Sequence, residues 1–147
     1  MGGPLQTGTP QSGTQAFDGM SLLLDTNALL WWAAGSRKLS RTVIRMIEDQ
    51  GTEVFVSAAS AWEISTKVRI GKLPEAEWMA GQFRRILQSQ SFRELQISVE
   101  HADLAGFMPG KHRDPFDRLL AAQCRIENLS IATNDAALKS LGVKAVW

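Results

Sequence analysis

The sequence predicts an α/β protein in which a mainly parallel sheet of about four or five short strands lies between layers of helices. Three observations carry this. Short apolar runs rich in Leu, Val and Ile recur along the chain, separated by segments of helical length. The first run, L-L-L at 22–24, shows no polar alternation, as suits a strand covered on both faces. Strand and helix patterns then alternate to the C-terminus, the mark of crossover connections and parallel pairing.

The elements follow in order. Residues 1–19 are rich in Gly, Thr, Gln and Pro, with one charge and no period. They are expected to be disordered: an extension that is a cloning remnant or upstream sequence, with Met20 a natural first residue. The folded unit is expected over 20–147. Strand 21–25 leads into helix 26–34, which Gly35 ends. Helix 40–50 carries Val43, Ile44 and Ile47 at helical spacing, with Ser40 as its N-cap and Gly51 as its stop. Strand 53–56 precedes helix 58–70, closed by Gly71. Pro74 opens one long helix over 75–90, and 94–97 is a third strand. Helix 99–107 stops before Pro109 and Gly110. Helix 115–128 has a ready-made start in D-P-F-D, with Asp114 as N-cap and Pro115 at the first position. Strand 130–132, helix 134–140 and an edge strand at 144–146 complete the chain.

Composition sets bounds on function. A chain of 147 residues with 44% hydrophobic content suits one domain with one core. Net charge is +1, so the whole surface is no basic nucleic-acid coat, and any such binding must be local. No apolar run approaches the ~20 residues of a membrane span. The single cysteine, Cys124, lies in an apolar helical run and reads as a small buried side chain. A cytoplasmic location fits this cysteine usage.

In a parallel α/β sheet, ligands sit beyond the carboxyl ends of the strands. Asp25 closes the first strand, Asp135 follows strand 130–132, and Asp117 opens the helix leading into that strand. Glu63 lies in the helix after the second strand, where its side chain can lean back toward the strand end. Taken singly, the aspartates read as helix caps and Glu63 as a solvated charge. Taken jointly, they repel. Two unit charges ~4 Å apart cost about 4 kcal/mol at an effective dielectric of 20, so a cation is expected among them. Magnesium suits an all-carboxylate set, whereas two histidines and one cysteine offer no zinc spacing.

Four blocks in order carry a resemblance: L-L-L-D-T-N-A-L-L-W-W at 22–32, S-A-W-E-I-S-T-K at 60–67 with G-K-L at 71–73, H-R-D-P-F-D-R-L-L-A-A-Q at 112–123, and A-T-N-D at 132–135. The chain resembles PIN-domain proteins, specifically the VapC-like toxins of bacterial toxin–antitoxin pairs, over about residues 20–147. The resemblance implies a three-layer α/β/α fold and RNA cleavage dependent on magnesium, or manganese in its place. It also implies a cognate antitoxin and a homodimer. Matched by position, Asp25, Glu63, Asp117 and Asp135 form the catalytic and metal-binding quartet, Glu63 directly or through water. Asp114 is an accessory candidate. Thr26, Asn27 and Thr133 resemble polar residues that orient the carboxylates.

Lys111, His112 and Arg113 are candidate phosphate contacts, with a solvated loop as the alternative for all three. Arg118 is expected at the surface, with an acid or substrate contact as the alternative, and Lys67, Arg69 and Lys72 are expected to face water, with an RNA groove as the alternative. One of Trp31 and Trp32 is expected in the core, with Trp62 packed to fix its helix. Rival functions are a catalytically idle PIN-fold binding module and a nuclease acting on DNA. An aspartyl-phosphate phosphatase needs D-x-D, and Asn27 stands at its second acid.

Overall fold

The computed structural model describes residues 19–147. The expectation for 1–19 therefore lies outside the described residues, apart from Gly19, whose N–H bonds the Gly51 carbonyl at 3.1 Å. Strand β1 (Met20–Leu24) runs into helix α1 (Thr26–Ala34), then α2 (Arg41–Glu48), β2 (Thr52–Ser57) and α3 (Ala58–Arg69). A 3-10 helix (Pro74–Met79), α4 (Phe83–Gln90), β3 (Arg93–Leu95) and α5 (Val99–Phe107) follow. The chain ends with α6 (Pro115–Glu127), β4 (Ser130–Ala132), α7 (Ala136–Lys139) and β5 (Lys144–Val146). The five strands form one sheet in the order β3-β2-β1-β4-β5, and every neighbouring pair is parallel.

β1 is the middle strand because its leucines satisfy both faces. Leu22 and Leu24 point into one core with Val54, Val56, Ala28, Val43, Met46, Ile64 and Leu87. Leu23 points the other way, with Ile131, Ala105, Leu120, Ala121 and Leu138. Leu22, Leu23 and Leu24 are fully buried. Each contributes about 1.5–3 kcal/mol by leaving water. The three-layer α/β/α architecture follows from this two-sided burial.

Caps behave largely as the sequence indicates. Ser40 accepts from the Val43 N–H, Asp114 from those of Phe116 and Asp117, and Gly35 takes the left-handed conformation that stops α1. Cys124 is buried, which pushes its thiol up to about 12.

Some expectations are corrected. The single helix expected over 75–90 is two pieces, because Gly81 sits at φ 80 and breaks the backbone between the 3-10 turn and α4. The third strand is Arg93–Leu95 rather than 94–97. Pairing with β2 ends at Leu95, and the Gln96 carbonyl accepts the Gln123 amide at 3.1 Å instead. Trp31 and Trp32 are both half-buried, Trp31 edge-on to Trp147 at 5.7 Å and Trp32 beside Phe92 at 6.2 Å.

Arg118 is not a free surface charge. Its guanidinium donates to the carbonyls of Ala105 (2.7 Å), His112 (2.9 Å) and Met108. It thereby ties the end of α5 and the 108–114 loop to the first turn of α6. Carbonyls left without this charged donor lose much of what such bonds contribute, about 1.5–3 kcal/mol each at the upper end. Arg118→Met is therefore expected to destabilise the fold by about 3 kcal/mol in urea denaturation, and a change below ~0.5 kcal/mol would contradict the role.

Candidate active site

The sheet order fixes where the acids meet. β1 lies between β2 and β4, and Leu24 is in register with Ala132 on one side and Val56 on the other. The strand tips are therefore level. The next residue on β1, Asp25, donates its N–H to the Ala132 carbonyl at 3.1 Å. Asp25 also begins α1, and its carboxylate accepts from the Ala28 N–H at 2.7 Å. Thr133 follows β4 and is fully buried. Its hydroxyl accepts from the Asp135 N–H at 3.1 Å, and its side chain favours the charged form of Asp25. Asp135 itself caps α7 through the Ala137 N–H at 2.9 Å and is exposed.

Asp117 reaches the same end of the sheet from the first turn of α6. It is half-buried, and His112 Nε2 lies 2.8 Å from its Oδ2. Asp25 feels the charges of both Asp117 and Asp135, and Asp117 feels Asp114 and Asp135. Three of the four predicted acids thus share one electrostatic neighbourhood. Asp114 borders it while capping α6 with one carboxylate oxygen.

Glu63 is buried at 6% exposure rather than solvated. Its two oxygens have fixed partners. Thr26 Oγ1 donates to Oε1 at 2.7 Å, and Lys67 Nζ donates to Oε2 at 2.7 Å. Thr26 is in turn 3.0 Å from Ser60 Oγ, which must act as the donor there because the Thr26 proton points to Glu63. Ser60, Glu63 and Lys67 recur at i, i+3 and i+7 on α3, so one helix face presents them all. Ser60 and Lys67 were not among the predicted site residues. The i+4 spacing of Lys67 from Glu63 was the signal that could have found it.

Other candidates stand apart. Asn27 is exposed on the first turn of α1, and its side chain makes no hydrogen bond among the described residues. Lys111 and Arg113 are exposed and form no ion pair with the acids among the described residues. Of that basic run only His112 touches an acid. Trp62 is 56% exposed yet packs edge-on to Phe116 at 4.8 Å. The other histidine, His101, is buried and bonded to Glu127 at 2.8 Å on the α5–α6 face.

Burial decides the charge state of Asp25. Loss of hydration pushes its carboxyl from an ordinary 3.8 up to about 6, helped by Asp117 and Asp135 and opposed by the bonds from Thr133 and Ala28. Asp117 is raised for the same first reason, with His112 opposing. Glu63 has Lys67 and Asp117 has His112, but neither Asp25 nor Asp135 has a cation of its own among the described residues. Nor do any three His, Cys, Asp or Glu side chains there group so as to hold one ion directly. The donor set at the cluster is nonetheless all hard oxygen and carries uncompensated charge. That fits a hard divalent ion held partly through its own waters.

A family model described as PIN domain matches residues 22–144. Ribonuclease VapC22 of Mycobacterium tuberculosis (strain ATCC 25618 / H37Rv) is 28% identical over 131 residues, covering 82% of this chain and 91% of that protein. VapBC2 from Rickettsia felis, bound to a DNA fragment from its promoter, superposes with a TM-score of 0.64 at 16% identity, covering 86% of this chain and 98% of the other. VapC20 of Mycobacterium tuberculosis, described as a sarcin-ricin loop cleaving toxin, gives 0.59 at 17% identity, over 83% and 95%.

The raised Asp25 has a sign that can be tested. Folding favours its protonated form, so that contribution is full below pH 3.8 and lost as pH rises through about 6. The loss above that pH amounts to about 3 kcal/mol. Asp25→Asn keeps an N-cap acceptor and removes the charge. In chelator at pH 8 it is expected to be more stable than wild type by about 2–3 kcal/mol in urea melts, with the gap closing toward pH 4. A variant less stable than wild type at pH 8 would mean that the acids do not strain the site.

Proposed function

Because this chain belongs to the PIN domain family, whose model matches residues 22–144, we propose that it is a divalent-cation-dependent ribonuclease and the toxin of a toxin–antitoxin pair. One observation carries the catalytic part of this reading. A buried aspartate at the tip of the central strand lies in the field of two further aspartates brought there from α6 and from the end of β4. The similarity to a protein named Ribonuclease VapC22 supports RNA as substrate. The fold shared with VapBC2 supports an antitoxin partner.

In this reading Asp25, Asp117 and Asp135 would hold magnesium, or manganese, with Glu63 contributing directly or through water and Asp114 as an accessory. When bound, such an ion lowers the pKa of water and offsets charge gathering on the phosphate. The chain's own groups set the geometry. The Ala28 N–H fixes the Asp25 carboxylate, and His112 turns Asp117. Thr26 holds Glu63. The acids orient an attacking water in line with the leaving oxygen, and one of the carboxylates takes the proton that water loses as it attacks. The new P–O bond forms as the ester P–O bond breaks, and the departing alkoxide takes a proton from solvent. Zinc is disfavoured as the resident ion, since Cys124 is a buried thiol and His101 is committed to Glu127.

A homodimer, a cytoplasmic location and residues 20–147 as the nuclease domain belong to the same proposal. Among the described residues no helix is long and apolar enough to cross a membrane.

The purified protein, free of any partner, is expected to cut RNA with magnesium or manganese and not in chelator. Asp25→Asn and Asp117→Asn are expected to remain folded and lose at least about a hundredfold in rate. Cleavage by Asp25→Asn at the wild-type rate would overturn the site. Cutting of single-stranded DNA but not RNA would make it a DNA nuclease, and partner binding with neither nucleic acid cut would make it an idle module.

A further inference from the structure

We propose that Lys67 is a substrate-phosphate contact of this site, and that Glu63 acts in large part by holding it there. The inference rests on the ribonuclease reading above and takes up, for Lys67 alone, the RNA-groove alternative that the sequence left beside a water-facing role.

The geometry is specific. Lys67 Nζ sits 2.7 Å from Glu63 Oε2. The other Glu63 oxygen is fixed by Thr26, itself bonded to Ser60. The carboxylate therefore cannot follow the ammonium freely, and the ammonium is anchored on a rigid base. Thr26, which holds the other Glu63 oxygen, directly follows Asp25 in the chain, so the Glu63–Lys67 pair lies beside the acidic cluster. The Lys67 side chain is 45% exposed, whereas Glu63 beneath it is 8% exposed. The ammonium is thus bonded to a buried carboxylate while its side chain stays partly open to solvent.

The rival cations are either engaged elsewhere or not anchored to an acid of the site. Arg118 spends its guanidinium on three backbone carbonyls. His112 is bonded to Asp117. Lys111 and Arg113 are exposed without an acidic anchor among the described residues. Phosphate contacts orient a nucleic-acid chain on a protein, and a lysine does this as a compact point charge. A polyanion approaching a cluster of carboxylates needs such a charge beside them, in addition to any bound ion.

The test measures binding of a short single-stranded RNA by the full chain with magnesium present, in an Asp25→Asn background so that the RNA stays intact. Affinity is followed against potassium chloride concentration. Adding Lys67→Met is expected to weaken binding about fivefold or more and to lower the log–log salt slope by about 0.7, the value of one phosphate contact on a single strand. Lys67→Arg is expected to keep the slope. Magnesium binding by calorimetry and the melting temperature separate a contact from a structural role. Should Lys67→Met alone unfold through its unpaired buried Glu63, Glu63→Gln with Lys67→Met removes that charge and, measured against Glu63→Gln alone, is expected to show the same fall in slope. An unchanged slope and affinity in a folded variant overturns the proposal, as does a loss of RNA binding matched by an equal loss of magnesium binding. RNA cleaved in the Asp25→Asn background, or not bound by it at all, instead overturns the ribonuclease reading of the site.

Discussion

The repulsion among carboxylates at the carboxyl end of β1 is the constraint around which the rest of the molecule is arranged. Asp25 is buried, sits at the end of the most buried strand, and has two acidic neighbours. An ordinary fold would expose such a group or give it an arginine. Here the chain gives it the Ala28 N–H, which orients the carboxylate and leaves its charge uncancelled. That arrangement costs stability in the absence of a counter-ion, which is the usual condition of a site prepared for one.

Holding the repelling groups in place requires a stiff frame, and polar side chains provide it. Arg118 ties three carbonyls to α6 just where Asp117 begins that helix. Gln123, fully buried, accepts from Ser57 Oγ at 2.5 Å and donates to the Gln96 carbonyl, so the tip of β2, the exit of β3 and the middle of α6 share one side chain. Ser57 also caps α3 through the Ala59 N–H, which sets where Glu63 lies along that helix. Each of these residues touches the frame rather than the acids, yet each fixes the distance between elements that carry them.

The parts legible in the sequence were those governed by local rules. The all-apolar run at 22–24 requires two covered faces, and Ser40 and Asp114 cap as their side chains dictate. The acids were found because strand ends in parallel sheets lie at one side of the molecule. What stayed hidden depended on tertiary contacts or on competing local signals. Pro74 suggested one long helix, but Gly81 prefers a positive φ and divides it. Glu63 looked solvated because nothing local reveals that Thr26, far away in the chain, would meet it. Arg118 resembled a surface charge until the loop before α6 supplied three carbonyls. Asn27 shows the opposite case. It stands beside Thr26 in the same block, but one step around α1 turns it to solvent.

The most direct examination of the acidic cluster is a crystal of the full chain soaked in manganese, with anomalous scattering used to locate the ion. A peak within about 2–2.5 Å of carboxylate oxygens, or bridged to them by ordered water, among Asp25, Asp117 and Asp135 is the expected result. An empty cluster at saturating manganese, or an ion bound only elsewhere, would contradict the account.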